Sequence, residues 1–166
     1  IGTIELPDDF EDLEYYENKE NDDTEIETNA PPTIIKNCYN SGRVYGEGIS
    51  LDINIGGIAG CIFYNVLVTD CYNTAEIYAR VLESYLDIHT ITYVGGIVGF
   101  SFEGTITMCY NTGTIRTLNY GLDESYNAGI VSYVLGGGVS RCYNEGSVYS
   151  FSNGHIGVVG GIAGDN

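Results

Sequence analysis

The tripeptide Cys-Tyr-Asn occurs four times, at Cys38, Cys71, Cys109 and Cys142, with spacings of 33, 38 and 33 residues. Each copy is followed at +4 by a small residue (Gly42, Ala75, Gly113, Gly146) and at +6 by a β-branched one (Val44, Ile77, Ile115, Val148). A second element then follows: Gly56-Gly57-Ile58, Gly95-Gly96-Ile97, Ala128-Gly129-Ile130 and Gly160-Gly161-Ile162. From cysteine to that isoleucine the distance is twenty residues in repeats one and four, twenty-one in three and twenty-six in two. Four copies in the same order restrict the chain to architectures in which identical units lie side by side.

Within Cys-Tyr-Asn-x-Gly-x-Val the residues Cys, Asn, Gly and Val share one parity, while Tyr takes the other. A period of two is the period of a strand. The intervening stretches are rich in Ile, Val, Thr and Tyr and are cut by Gly and Asn. A unit of short strands cannot bury its apolar face alone and gains a core only when copies stack. The predicted fold is therefore all-β, a parallel β-solenoid (β-helix) of about four coils, each of about three strands, with like residues about 4.8 Å apart. A propeller would want longer and more numerous blades, and an antiparallel sandwich would not require in-register repetition.

Stacking turns positions into columns. Cys38, Cys71, Cys109 and Cys142 form an inward ladder, and so do Asn40, Asn73, Asn111 and Asn144, whose amides must find partners along the axis. Tyr39, Tyr72, Tyr110 and Tyr143 point outward. At +7 a second outward column reads Tyr45, Tyr78, Arg116 and Tyr149, so that seven tyrosines pave one face. One conflict remains. Ile35, Val68, Ile106 and Val139, three residues before each cysteine, have the wrong parity to share the core on a straight strand, which predicts a corner or bulge there.

The chain holds 23 acidic and 6 basic residues, a formal net charge of −17. Such a polyanion repels phosphate backbones and anionic lipid, which argues against nucleic-acid partners and a polybasic anchor. No apolar run approaches the ~20 residues of a membrane helix, so no membrane insertion is expected. A chain that starts at Ile1 with no signal-peptide core fits a processed mature chain or an excised fragment. Charge is uneven: residues 1–32 carry twelve acids and only Lys19, and the break falls at Pro31-Pro32. The expected organisation is an acidic N-terminal extension over 1–32 and a repeat domain over 33–166.

The segments "CYNTGTI" at 109–115 and "VGGIVG" at 94–99, with their counterparts, resemble the GLUG-type repeat of bacterial surface and secreted proteins, including large adhesins. The resemblance runs over residues 33–166. It implies an extracellular or cell-surface repeat module with a β-solenoid fold, and it implies no catalytic residues. Repeat three departs from the pattern, with Ala128 and Ser132 in place of glycines, which leaves room for a different corner there.

Chemistry is sparse. No Cys-x-x-Cys exists, and in-register cysteines about 4.8 Å apart are poorly placed for a bridge that wants Cβ atoms about 3.8 Å apart. The ladder cysteines read as small apolar side chains, and Cys61, outside the ladder, reads as core. His89 and His155 sit in no nucleophile motif, and the carboxylates of the coils recur at no common column, so no enzyme is expected. No cofactor is called for; calcium is conceivable around Asp8-Asp9 or Asp22-Asp23, though no calcium-loop pattern is present.

The coil ends carry more information. A four-coil stack exposes a full cross-section of strand edges at each end, and the last repeat stops at Gly164-Asp165-Asn166. "IGTIEL" (1–6) alternates like a strand and resembles "TGTIRTL" (112–118), making Ile1, Thr3, Ile4 and Leu6 a candidate donor strand. Residues 1–32 either pair with a neighbouring copy or fold back to cap their own first coil. The expected function is a structural subunit of an extracellular surface fibre or stalk, partnered by copies of itself head to tail. The alternative is an adhesin module whose tyrosine face stacks on glycans, although the same tyrosines equally suit lateral packing between fibres.

Overall fold

The computed structural model describes residues 31–49, 52–82, 91–121, 124–153 and 157–165. The extension, with the candidate donor strand and calcium carboxylates, lies outside the described residues, as do His89 and His155. Two compact units divide at Ala30/Pro31, and all described residues belong to the second.

The second unit is a parallel β-solenoid of four coils. The first coil runs through β1 (Thr33–Lys36), β2 (Tyr39–Asn40), β3 (Val44–Ile49), β4 (Ile53–Gly56) and β5 (Ala59–Phe63). The second contains β6 (Val66–Thr69), β7 (Tyr72–Asn73), β8 (Ile77–Leu82), β9 (Ile91–Gly95) and β10 (Val98–Phe102). The third contains β11 (Thr105–Thr107), β12 (Tyr110–Asn111), β13 (Ile115–Asn119), β14 (Glu124–Ala128) and β15 (Val131–Leu135). The fourth contains β16 (Gly138–Ser140), β17 (Tyr143–Asn144), β18 (Val148–Ser152), β19 (Gly157–Gly160) and β20 (Ala163–Asp165). Corresponding strands make five four-stranded sheets in coil order, β1-β6-β11-β16 and its four equivalents, and the pairings are parallel. Each coil thus has five strands where three were expected. The strands are short because the path is cut by turns that a repeat pattern does not distinguish from continuous strand.

One of those turns resolves the parity conflict. In every coil the residue before the ladder cysteine has left-handed backbone: Asn37, Asp70, Met108 and Arg141, with φ of 57°, 52°, 50° and 53°. That single residue reverses the alternation between two strands, so Val68 and Ile106 point inward together with Cys71 and Cys109. Asn and Asp tolerate this region, whereas Met108 and Arg141 hold it against a steric cost of about 1 kcal/mol each.

A main core lobe gathers Ile62, Val68, Cys71, Ile97, Val98, Ile106, Cys109, Ile130, Val131 and Val134. A second lobe, between the β3 and β4 ladders, gathers Ile55, Ile77, Ala79, Val94 and Ile115, and coil three adds the buried polar Thr117, Ser125 and Asn127. There Thr117 donates to Asn127, whose Nδ2 donates to Ser150 Oγ at 3.0 Å. Cys61 belongs to neither lobe. It is half-buried on the outer side of β5, opposite in parity to buried Ile62 and in register with Phe100, which corrects its assignment to the core. Coil three keeps the corner of its neighbours: Ala128 pairs in register with Gly95 and Gly160, and Gly96 N–H donates to Ala128 O at 3.1 Å. Ser132 sits in its glycine column and donates its hydroxyl to Gly99 O at 2.5 Å.

Candidate functional site

The ladders are the site, because they decide what each coil offers to a neighbour. Asn40 Nδ2 donates to Asn73 Oδ1 at 2.8 Å, Asn73 Nδ2 to Asn111 Oδ1 at 2.7 Å, and Asn111 Nδ2 to Asn144 Oδ1 at 2.7 Å. The second Nδ2 hydrogen goes to the carbonyl two residues on, at 2.8 Å in Asn73, Asn111 and Asn144. Oδ1 also accepts the N–H of that residue, as from Gly113 to Asn111 at 3.2 Å. An amide has two donors and two acceptor positions, so Asn73 and Asn111 are fully satisfied while completely buried. Such a ladder has a direction. Among the described residues, Asn40 Oδ1 at one end receives only the Gly42 N–H, at 3.1 Å, and Asn144 Nδ2 at the other keeps one hydrogen to give.

Glycines match this polarity. A Cβ on Gly96 would lie 2.7 Å from Asn111 Cγ, and one on Gly129 would lie 2.1 Å from Asn144 Cγ. The second glycine of each corner therefore rests on the asparagine of the following coil. At Gly161, in coil four, a Cβ would meet nothing within 4 Å among the described residues. On the opposite side of the stack, Cβ atoms at Gly113 and Gly146 would each sit 1.9 Å from the preceding coil's carbonyl, whereas one at Gly42 would be in open space but for Asn40 Oδ1 at 3.9 Å.

The cysteines are free thiols. Each of the four ladder S–H groups donates to the carbonyl two residues earlier, at 3.1 Å in Cys71 and Cys109, 3.2 Å in Cys142 and 3.5 Å in Cys38. Burial pushes the Cys71 thiol above its ordinary range, and contact with Cys142 together with burial does the same for Cys109.

Two tyrosine columns differ. Tyr39, Tyr72, Tyr110 and Tyr143 stack without interruption, with centroids 5.3, 4.9 and 5.1 Å apart and planes within 11°, 3° and 5° of parallel. Ring faces are spent on ring faces, so this column shows solvent its edges, and only Tyr39 and Tyr143 have a face without a ring partner among the described residues. In the second column Tyr45 stacks on Tyr78 at 5.4 Å, and Arg116 then interrupts before Tyr149. Charges on the first two coils pair locally: Lys36 with Asp70, Arg43 with Glu76 and Arg80 with Glu47, at 3.6, 3.0 and 3.2 Å.

A third aromatic group was not foreseen. Tyr93, Phe100, Tyr126 and Tyr133 meet on the outer side of β9, β10, β14 and β15, with Tyr93 5.2 Å from Phe100 and Tyr126 5.5 Å from Tyr133. The Tyr126 hydroxyl donates to Glu124 at 2.8 Å, and that bond together with burial pushes its pKa up to about 12. These residues fall at no fixed distance from Cys-Tyr-Asn, because repeat two carries extra residues before its glycine pair. The available signal was their alignment on the glycine pair itself.

Among the described residues, no group of three or more His, Cys, Asp or Glu is placed to hold a metal ion, and no helix is long and apolar enough to cross a membrane.

Stacked parallel coils with continuous asparagine, thiol and tyrosine ladders define a β-solenoid repeat module. The GLUG motif matches residues 90–116, the stretch that runs from β9 to Arg116 in β13 and holds both the Gly-Gly-Ile and the Cys-Tyr-Asn elements. No curated protein and no solved structure matches the chain.

Proposed function

We propose that this chain is a structural subunit of an extracellular bacterial surface fibre or stalk, built by stacking coil four of one copy under coil one of the next. The observation that carries the proposal is the complementarity of the two coil edges. Asn144 has a hydrogen to donate where Asn40 has an acceptor to fill, and Gly161 has open space where the asparagine of a following coil belongs. Register would then set Tyr143 on Tyr39 and continue the ring stack. Strand edges over an apolar core favour pairing, and a heterologous contact that does not close makes a filament. The extension 1–32 is the second element of the contact in this reading. The GLUG motif supports a bacterial repeat module, and the resemblance to surface repeats supports the location outside the cell. No catalysis is assigned.

Electron microscopy of the full chain tests this reading. Filaments with a subunit rise of about 19 Å are expected, four coils at the strand spacing. Gly161→Val fills space that no described residue occupies, so it leaves the monomer folded and abolishes filaments. A wild-type chain that stays monomeric at high concentration, or filaments indifferent to Gly161→Val, overturns the proposal. Deleting residues 1–7 shows whether the extension takes part, since filaments that persist unchanged remove it.

A further inference from the structure

We infer that, in the single chain, the groove beside Arg116 binds a carboxylated sugar ring, a uronic or sialic acid. The groove, of about 730 Å³, is lined by Thr114, Arg116, Leu118, Tyr120, Tyr149 and Phe151 with adjoining residues of β13 and β18. That volume lies within the range of ligand clefts.

Three observations converge on this ligand. First, Arg116 occupies the position of Tyr45, Tyr78 and Tyr149 in its column, so a guanidinium stands where the coil geometry takes a tyrosine. Second, that guanidinium has no carboxylate partner among the described residues, whereas Lys36, Arg43 and Arg80 each have one. Arg141 likewise has none, but it does not line the groove. Nor does Arg116 serve the ring stack, because the cation over the Tyr78 ring is Arg43, at 5.3 Å. Third, the interruption frees aromatic surface. Tyr149 is 59% exposed and has no ring partner among the described residues, while Tyr120 and Phe151 form an adjacent wall with centroids 5.7 Å apart.

A planar cation recognises a carboxylate through paired N–H donors. Exposed tyrosine rings offer an apolar face and a polar tip to the C–H face and hydroxyls of a pyranose. A neutral sugar would leave Arg116 without a partner, and a simple anion would leave the aromatic wall uncovered. The chain's net negative charge opposes an anionic ligand only at long range, because exposed charges beyond about 8 Å are screened at physiological ionic strength.

Calorimetric titration of the full chain tests the inference with trigalacturonate and its carboxyl-reduced neutral counterpart, sialyllactose and lactose, and a hexaglutamate peptide. At least one carboxylated sugar should bind, about tenfold or more tighter than its neutral partner. The two acidic probes separate the uronate source from the sialate. Arg116→Tyr restores the column residue and Arg116→Gln keeps an exposed polar side chain; both should abolish the preference for the carboxylate, while Tyr149→Thr weakens binding with the preference retained. Melting curves establish that the variants are folded. The inference fails if neither acidic sugar binds, if neutral and acidic sugars bind alike, if both Arg116 variants bind as wild type does, or if only the acidic peptide binds.

Discussion

Coils two and three differ from coils one and four in surroundings more than in sequence. Val68 and Ile106 are completely buried, whereas their column mates Ile35 and Val139 are partly buried. Cys71 and Cys109 are buried, Cys142 is half-buried and Cys38 is exposed. Among the described residues, Asn73 and Asn111 use every hydrogen-bonding position, while Asn144 leaves one donor open and Asn40 leaves one donor and one acceptor open. The same residue type in the same column thus has two energetic identities, set by whether one or two coils cover it. Stability in such a stack is a sum over neighbours, and an edge becomes interior only when another coil arrives.

That contrast can be broken most strongly in the core. Ile106→Ala should lower unfolding free energy by about 4 kcal/mol in urea titrations, against about 1 kcal/mol for Ile35→Ala, because the edge site retains solvent access and can relax. Equal losses would mean that the edges are covered in solution, as in an assembled fibre. Next in size is the amide ladder. Asn111→Ala strands the Asn73 donor and the Asn144 acceptor inside the stack and should cost about 3 kcal/mol, while Asn40→Ala should cost about 1 kcal/mol.

The thiols give a pH-dependent version of the comparison. The folded-state pKa of Cys71 lies above the unfolded value because the thiol is buried. Its contribution is therefore complete below the ordinary thiol pKa of about 8.5 and is lost as pH rises beyond it. The urea midpoint should fall through that range, and Cys71→Ala should flatten the fall. A further decline belongs to Tyr126, between the usual tyrosine value near 10 and its folded value of about 12. Smallest is the corner: Met108→Asn relieves left-handed backbone and should stabilise by about 1 kcal/mol, while Asn37, already suited, gains nothing from change. A thiol reagent should modify Cys38 in the native chain and reach Cys71 and Cys109 only on unfolding.

Much of this was legible in the residues. The spacing of Cys-Tyr-Asn placed Cys38, Cys71, Cys109 and Cys142 in one column, and the parity of Val68 against Cys71 announced a corner or bulge, which the structure puts at Asp70. The number of strands per coil was not legible, because a turn made by Met108 or Arg141 carries no glycine or proline to mark it. Neither was the role of the tyrosines. Seven outward tyrosines suggest a platform for sugars, yet the unbroken column buries its faces in itself, and the broken one leaves Tyr149 and Arg116 available.

Sequence alone determined the translation along the axis: which residues lie above which, in what register, and that the strands run parallel. A repeated pattern constrains that much because unlike residues cannot share a column without disturbing the core. Only the tertiary structure decided how each side chain spends its surface: which hydrogens of an amide point along the axis, and which ring faces are covered. Those choices depend on groups brought close from successive coils, such as Gly96 against Asn111 or Arg43 over Tyr78. Their proximity comes from the closing of the turn, which no local stretch of residues encodes.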